Sequence, residues 1–194
     1  MPLVWIPYDD SQKVKDSFFQ ENPVSTLKKK SYNAVPTMIG LTKDEGLLQA
    51  GHFINDAEVF KNFWKEEACP AVLFLGYYSY SRDVPDNVRQ LTEEISQKYF
   101  QGNKEHFDLK VLQQLSDAFT DSGFFYGTDI MVKQLADKVP TFYYHFDHLG
   151  SFSFLDLVAS KYGVLFELMR KKFEFHHTLG HGVCHADEIF HLFR

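Results

Sequence analysis

Apolar residues recur along the chain in two different rhythms. AVPTMIGL at 34–41 and TFYYHF at 141–146 are short, nearly continuous apolar runs, the first closing on glycine and leucine and the second following Pro140. Runs of that length bounded by turn residues predict buried strands of the parallel type, with Pro36 at strand entry because proline donates no ladder hydrogen bond. Between them the rhythm changes. Phe60, Phe63 and Trp64, then Val88, Leu91, Ile95 and Tyr99, then Phe107, Val111, Leu115 and Ala118 return every three or four residues, which puts each set on one stripe of an amphipathic helix. A further helix is predicted over about residues 124–138. Pro70, the tract GYYSYSRDVP at 76–85 and Gly102-Asn103 punctuate these helices as turns. Residues 151–175 combine helical spacing at Phe154, Leu157, Val158 and Leu165 with an internal Gly163, and read as helix followed by loop. Strand-like and helix-like blocks alternate without repeats or a linker, so the expectation is a single α/β domain with a large helical excursion between its two strands.

Composition narrows the partners. With 194 residues, 44% of them hydrophobic and 20 of them phenylalanine, there is apolar mass for a sizeable core. The net charge of −6 and the interspersed acids and bases give no electrostatic ground for a nucleic-acid or anionic-membrane partner. The basic run Lys28-Lys29-Lys30 is read as a solvated loop before Ser31-Tyr32-Asn33. No apolar run is long enough to span a bilayer, and MPLVWIPYDD lacks the basic and apolar regions of a secretory signal. Two cysteines, Cys69 and Cys184, leave one disulfide open to either outcome, and there is no C-x-x-C.

Chemistry concentrates at two loops. TKDEG at 42–46 follows the first strand, and LGHGVCHADEIFHLF at 179–193 carries histidines, a cysteine and acids among glycines. Strand ends are where α/β sheets present active sites. Glu45 is the candidate acid, with Asp44 as its rival, and His185 is the candidate base. Gly180 and Gly182 loosen the loop ahead of His185, and a helix can begin just after it. A carboxylate that accepts from one imidazole nitrogen fixes the tautomer and leaves the other nitrogen to take a proton from a nucleophile. Glu188 reads as a favourable charge at the first turn of that helix, or as a neighbour of the histidine. His177, His181 and His185 are spaced by four, with His191 and Cys184 nearby, a pattern that on a continuous helix could hold zinc. The glycines break the helix such a site needs, H-E-x-x-H is absent, and ligation would occupy His185, so no metal or other cofactor is expected.

The segments VPTMIGLTKDEG at 35–46 and GVCHADEIFHLF at 182–193 resemble two active-site motifs of the type B carboxylesterases, a family that includes cholinesterases and insect esterases. GVCHADEIFHLF is especially similar to the insect members. The resemblance implies the C-terminal part of an α/β-hydrolase fold, mostly parallel strands with helices inserted between acid and histidine. It implies Glu45 as the triad acid and His185 as the triad histidine. LSDAFTD at 115–121 is similar to a helical segment whose aspartate supports the triad, which maps onto Asp121. IPYD at 6–9 and Phe18-Phe19 resemble the segment upstream of the acid strand.

One part of that machinery is missing from these residues. The hydrolase order is nucleophilic serine in G-x-S-x-G, then acid, then histidine, and this sequence contains no G-x-S-x-G. Ser122 and Ser151 lack the flanking glycines and read as ordinary turn serines. Residues 1–194 are therefore expected to be a partial carboxylesterase domain, incomplete on the N-terminal side and also at the C-terminal end. The functional expectation is a fragment of a carboxylic-ester hydrolase that supplies acid and base but is inactive alone. The competing expectation is a non-catalytic relative used for binding or adhesion. The implied partner is a small-molecule ester, and the resemblance leans towards secretion.

Overall fold

A computed structural model describes residues 15–18, 21–53, 57–65, 70, 74, 86–150, 153–154 and 182–193. The turn tract at 76–85, Cys69, Ser151 and nearly all of 151–175 lie outside these described residues.

The elements are α1 (Pro23–Lys28), β1 (Thr37–Thr42), α2 (Leu47–Ala50) continued by a 3₁₀ turn (Gly51–Phe53), α3 (Ala57–Lys65), α4 (Val88–Phe100), α5 (Leu109–Phe119), a π-helical turn (Thr120–Phe125), α6 (Tyr126–Ala136), β2 (Thr141–Phe146) and α7 (Ile189–Leu192). β1 and β2 pair in one two-stranded sheet. Thr37 N–H donates to Pro140 O and Lys43 N–H to Phe146 O, each at 3.0 Å, so the ladder advances along both strands in the same direction, as a parallel pair requires.

Contacts divide the chain into two compact units, residues 1–39 with 128–143 and residues 40–127 with 144–194. The unit boundaries run through β1, α6 and β2, where no shift of composition could mark them.

In the first unit, α1 was not predicted from apolar spacing. It starts on local chemistry instead: the Asn22 side chain accepts from Val24 N–H at 2.9 Å and Pro23 occupies the first turn. Lys28 closes the helix, and Lys29 and Lys30 are exposed beyond it, paired with Glu21 and Asp137 respectively. The Tyr32 hydroxyl donates to Gln134 O at 3.3 Å, while Lys138 Nζ lies 4.7 Å from its ring centre.

The second unit holds the core. The helical stripes read from sequence converge there: Phe60, Phe63 and Trp64 of α3, Ile95 and Phe100 of α4, and Val111, Leu112, Leu115, Ala118 and Phe119 of α5 are all buried. Aromatic rings meet edge-to-face, as at Phe60–Trp64 (6.1 Å) and Trp64–Phe100 (5.1 Å), the arrangement favoured by their quadrupoles. α5 begins where Asp108 Oδ1 accepts from Val111 N–H at 2.8 Å. α4 ends where Gln101 takes a left-handed conformation, with Gly102 N–H reaching back to Ser96 O.

The strands differ from expectation in burial. β1 is buried only at Leu41 and Thr42, and Met38 is largely exposed. β2, predicted as a buried strand, exposes Phe142, Tyr143 and Tyr144. Successive strand residues face opposite sides of a sheet, and among the described residues β2 pairs with β1 alone, so its aromatic positions lack cover from further layers.

Candidate active site

Glu45 sits in the loop between β1 and α2, and the core determines its position. Gly46 N–H donates to Thr120 Oγ1 at 2.9 Å, which seats the loop on the C-terminal end of α5. The approach is so close that a Cβ on Gly46 would lie 2.2 Å from Ser116 O and 2.7 Å from Phe119 Cβ. Only glycine fits there. Glu45 itself is 4% exposed. Its Oε1 accepts from Thr42 N–H at 2.7 Å, and its Oε2 is 2.6 Å from His185 Nδ1.

His185 reaches Glu45 from the far end of the chain, 140 residues away. Asp44 makes this meeting possible. Its backbone N–H donates to Val183 O at 3.0 Å, and its Oδ2 accepts from Val183 N–H at 2.9 Å, next to a parallel bridge between Asp44 and Cys184. Gly182 lies against the same carboxylate: a Cβ there would be 2.3 Å from Asp44 Oδ2. Gln113 Nε2 donates to Asp44 Oδ1 at 2.9 Å. The two neighbouring acids therefore divide the work, Asp44 holding the histidine loop and Glu45 the imidazole.

A carboxylate offers only acceptors, so Nδ1 carries the proton in this contact, and Nε2 makes no hydrogen bond to a described residue. The His185 side chain is 43% exposed. The hydrogen bond to Glu45 raises its pKa above the ordinary 6.5; burial works in the opposite direction, and the charges of Glu45, Glu188 and Asp187 add to the rise. The Phe124 ring, in the π-helical turn, lies 5.2 Å from the imidazole at 44°.

Asp121 is placed elsewhere. It lies in the π-helical turn with Phe124, and its carboxylate accepts from the Tyr99 hydroxyl of α4 at 2.7 Å. Burial first and that hydrogen bond second push the Tyr99 phenol up from 10. This pair borders a cavity of about 470 Å³ whose apolar lining includes Phe74, Leu91, Ile95 and Tyr126. Neither Glu45 nor His185 lines it. Ser122 donates to Ala118 O at 2.7 Å along its own helical run. Glu188 caps the start of α7 by position, without a side-chain hydrogen bond to the helix. Cys184 is a free, buried thiol, pushed well above its usual range by burial.

Among the described residues no three His, Cys, Asp or Glu side chains gather as a metal site, and no helix is long and apolar enough to cross a membrane. His177 and His181 lie outside those residues.

Sequence reasoning passed over Asp187. It is 4% exposed and accepts from Cys184 N–H at 2.8 Å and Phe154 N–H at 2.6 Å. An aspartate three residues after a loop residue whose amide it can accept from is a sequence signal that could have flagged it.

The sequence model described as "Carboxylesterase family" matches residues 3–194. The chain belongs to the carboxylesterase family. It is 25% identical over 186 residues to "Juvenile hormone esterase" of Tribolium castaneum, covering 91% of this chain and 28% of that protein. It is 22% identical over 179 residues to "Venom carboxylesterase-6" of Apis mellifera, covering 89% and 28%. The crystal structure of juvenile hormone esterase from Manduca sexta, with OTFP covalently attached, superposes with a TM-score of 0.59 at 20% identity, covering all of this chain and 31% of that one. The fold is thus part of an α/β hydrolase, and the chain spans less than a third of the length of the curated relatives it matches. The large helical block between the two strands is the insertion that the resemblance implies.

Proposed function

We propose that this chain supplies the acid and base of a serine carboxylesterase site. Glu45 orients the imidazole and stabilises it once charged, and His185 Nε2 takes the proton from a serine hydroxyl as that oxygen attacks a carboxylic ester. His185 then returns the proton to the leaving alcohol, and in the second half-reaction it activates water against the acyl-enzyme. The observation that carries this reading is the 2.6 Å contact between Glu45 Oε2 and His185 Nδ1, with one partner buried and the other accessible to substrate. Asp121 would support the site indirectly, through the π-helical turn that also presents Phe124. The 194 residues hold no G-x-S-x-G, so the isolated chain should not form an acyl-enzyme.

The test replaces the matching portion of the Tribolium castaneum esterase with this chain. The hybrid should hydrolyse p-nitrophenyl acetate with a burst. His185→Gln should lower turnover by about 10⁶-fold, as removal of a triad histidine does elsewhere. A hybrid that folds but gives no burst, or whose turnover survives His185→Gln, would refute the proposal, and the first result would favour a binding or adhesion role.

A further inference from the structure

We propose that Asp187 is a positioning residue that locks the turn carrying His185, so that the imidazole faces Glu45. This rests on the reading of His185 as the base. Cys184, His185, Ala186 and Asp187 form one tight turn, closed by Asp187 N–H donating to Cys184 O at 3.1 Å. Ala186 occupies it with φ +70°. That left-handed conformation crowds the Cβ of an L-residue against its own backbone, and it persists only where the surroundings impose it.

The imposing group is the Asp187 carboxylate. Oδ2 accepts from Cys184 N–H at 2.8 Å, which clamps the first residue of the turn to the last. Oδ1 accepts from Phe154 N–H at 2.6 Å and from Ser153 Oγ–H at 2.9 Å, and the same hydroxyl lies 3.1 Å from Oδ2. The turn is thereby tied to a segment downstream of β2. N–H and O–H donors surround the carboxylate, and it is almost fully buried. Its fixed geometry compensates the strain one residue away, and that residue is the one following the imidazole. Asparagine cannot reproduce this, because one of its two terminal atoms is a donor and would face an N–H.

The experiment follows the His185 Nδ1 proton by ¹⁵N-edited NMR in the 194-residue chain, assigned as the resonance missing from His185→Gln. Asp187→Asn should lose this resonance or exchange it with water about tenfold faster, the effect of losing one supporting hydrogen bond, while circular dichroism keeps the wild-type helix content. Adding Ala186→Gly should restore it, since glycine takes φ +70° without strain. A resonance unchanged in Asp187→Asn would overturn the proposal. So would a loss that Ala186→Gly does not repair, which would indicate that charge, not turn geometry, is what Asp187 provides. If Asp187→Asn fails to fold, Ser153→Ala decides. It leaves the carboxylate in place and removes one donor, so faster exchange supports the proposal and wild-type exchange overturns it. No ester enters the measurement, so an inactive hybrid esterase and an unperturbed His185 proton are separate failures.

Discussion

His185, paired with Glu45, changes its protonation on folding. The pKa of His185 is raised in the folded chain by its hydrogen bond to Glu45. A raised basic pKa means the folded state binds the proton more tightly, so this stabilisation is complete below the unfolded value near 6.5 and disappears as pH rises through the higher folded value. Urea unfolding of wild type against His185→Gln should therefore show a stability difference at pH about 5.5 that shrinks on moving above the folded pKa. A difference that grows with pH would contradict the assignment. Gly46 acts at the same scale. Gly46→Ala should cost about 1–3 kcal/mol in the same assay, because the new methyl meets a backbone carbonyl and an amide that cannot move without shifting α5.

At the level of elements, α5 is the reference against which the site is built. It contributes core residues on one face, and its C-terminal end passes into the π-helical turn that offers Thr120 to Gly46 and Phe124 to His185. π-helical turns are rare and cluster at functional positions, which fits the double role of this one. Asp108 caps the start of α5, and Asp108→Ala should lower stability by about 1 kcal/mol, read as a shift of the urea midpoint at unchanged slope. Loss of the cap should leave the Glu45–His185 contact intact, because that contact is anchored at the opposite end of the helix.

For the molecule as a whole, the exposed aromatics of β2 are the feature with consequences. Phe142 is 59% exposed on a strand that pairs with β1 alone among the described residues. Exposed apolar strand surface is a template for association. The isolated chain should form oligomers measurable by light scattering, and Phe142→Lys should raise the monomer fraction without changing helix content. In the hybrid esterase the same substitution should be destabilising, because the layers packed on an α/β sheet cover its faces.

Local pattern determined a good deal by itself. The spacing of Phe60, Phe63 and Trp64, of Val88 through Tyr99 and of Phe107 through Ala118 pointed to three helices and their inward faces, because a helix returns to one side every three to four residues, although Phe107 itself lies just ahead of the Asp108 cap. TFYYHF specified a strand, and the paired motifs around Glu45 and His185 pointed to acid and base before any coordinates. Features made by contacts distant in sequence, or by backbone geometry, were not legible. The π-helical turn arose between the two stripes that read as separate helices. The exposure of β2 depends on which layers lie over it, a fact no strand encodes. The part played by Asp44 could not be read either: the sequence names it only as a rival of Glu45, and only beside the parallel bridge to Cys184 does its carboxylate meet the Val183 amide while Glu45 meets the imidazole. Sequence determined which residues could carry the chemistry; tertiary structure decided which of them meet, since a hydrogen bond spanning 140 residues exists only once the fold has brought its ends together.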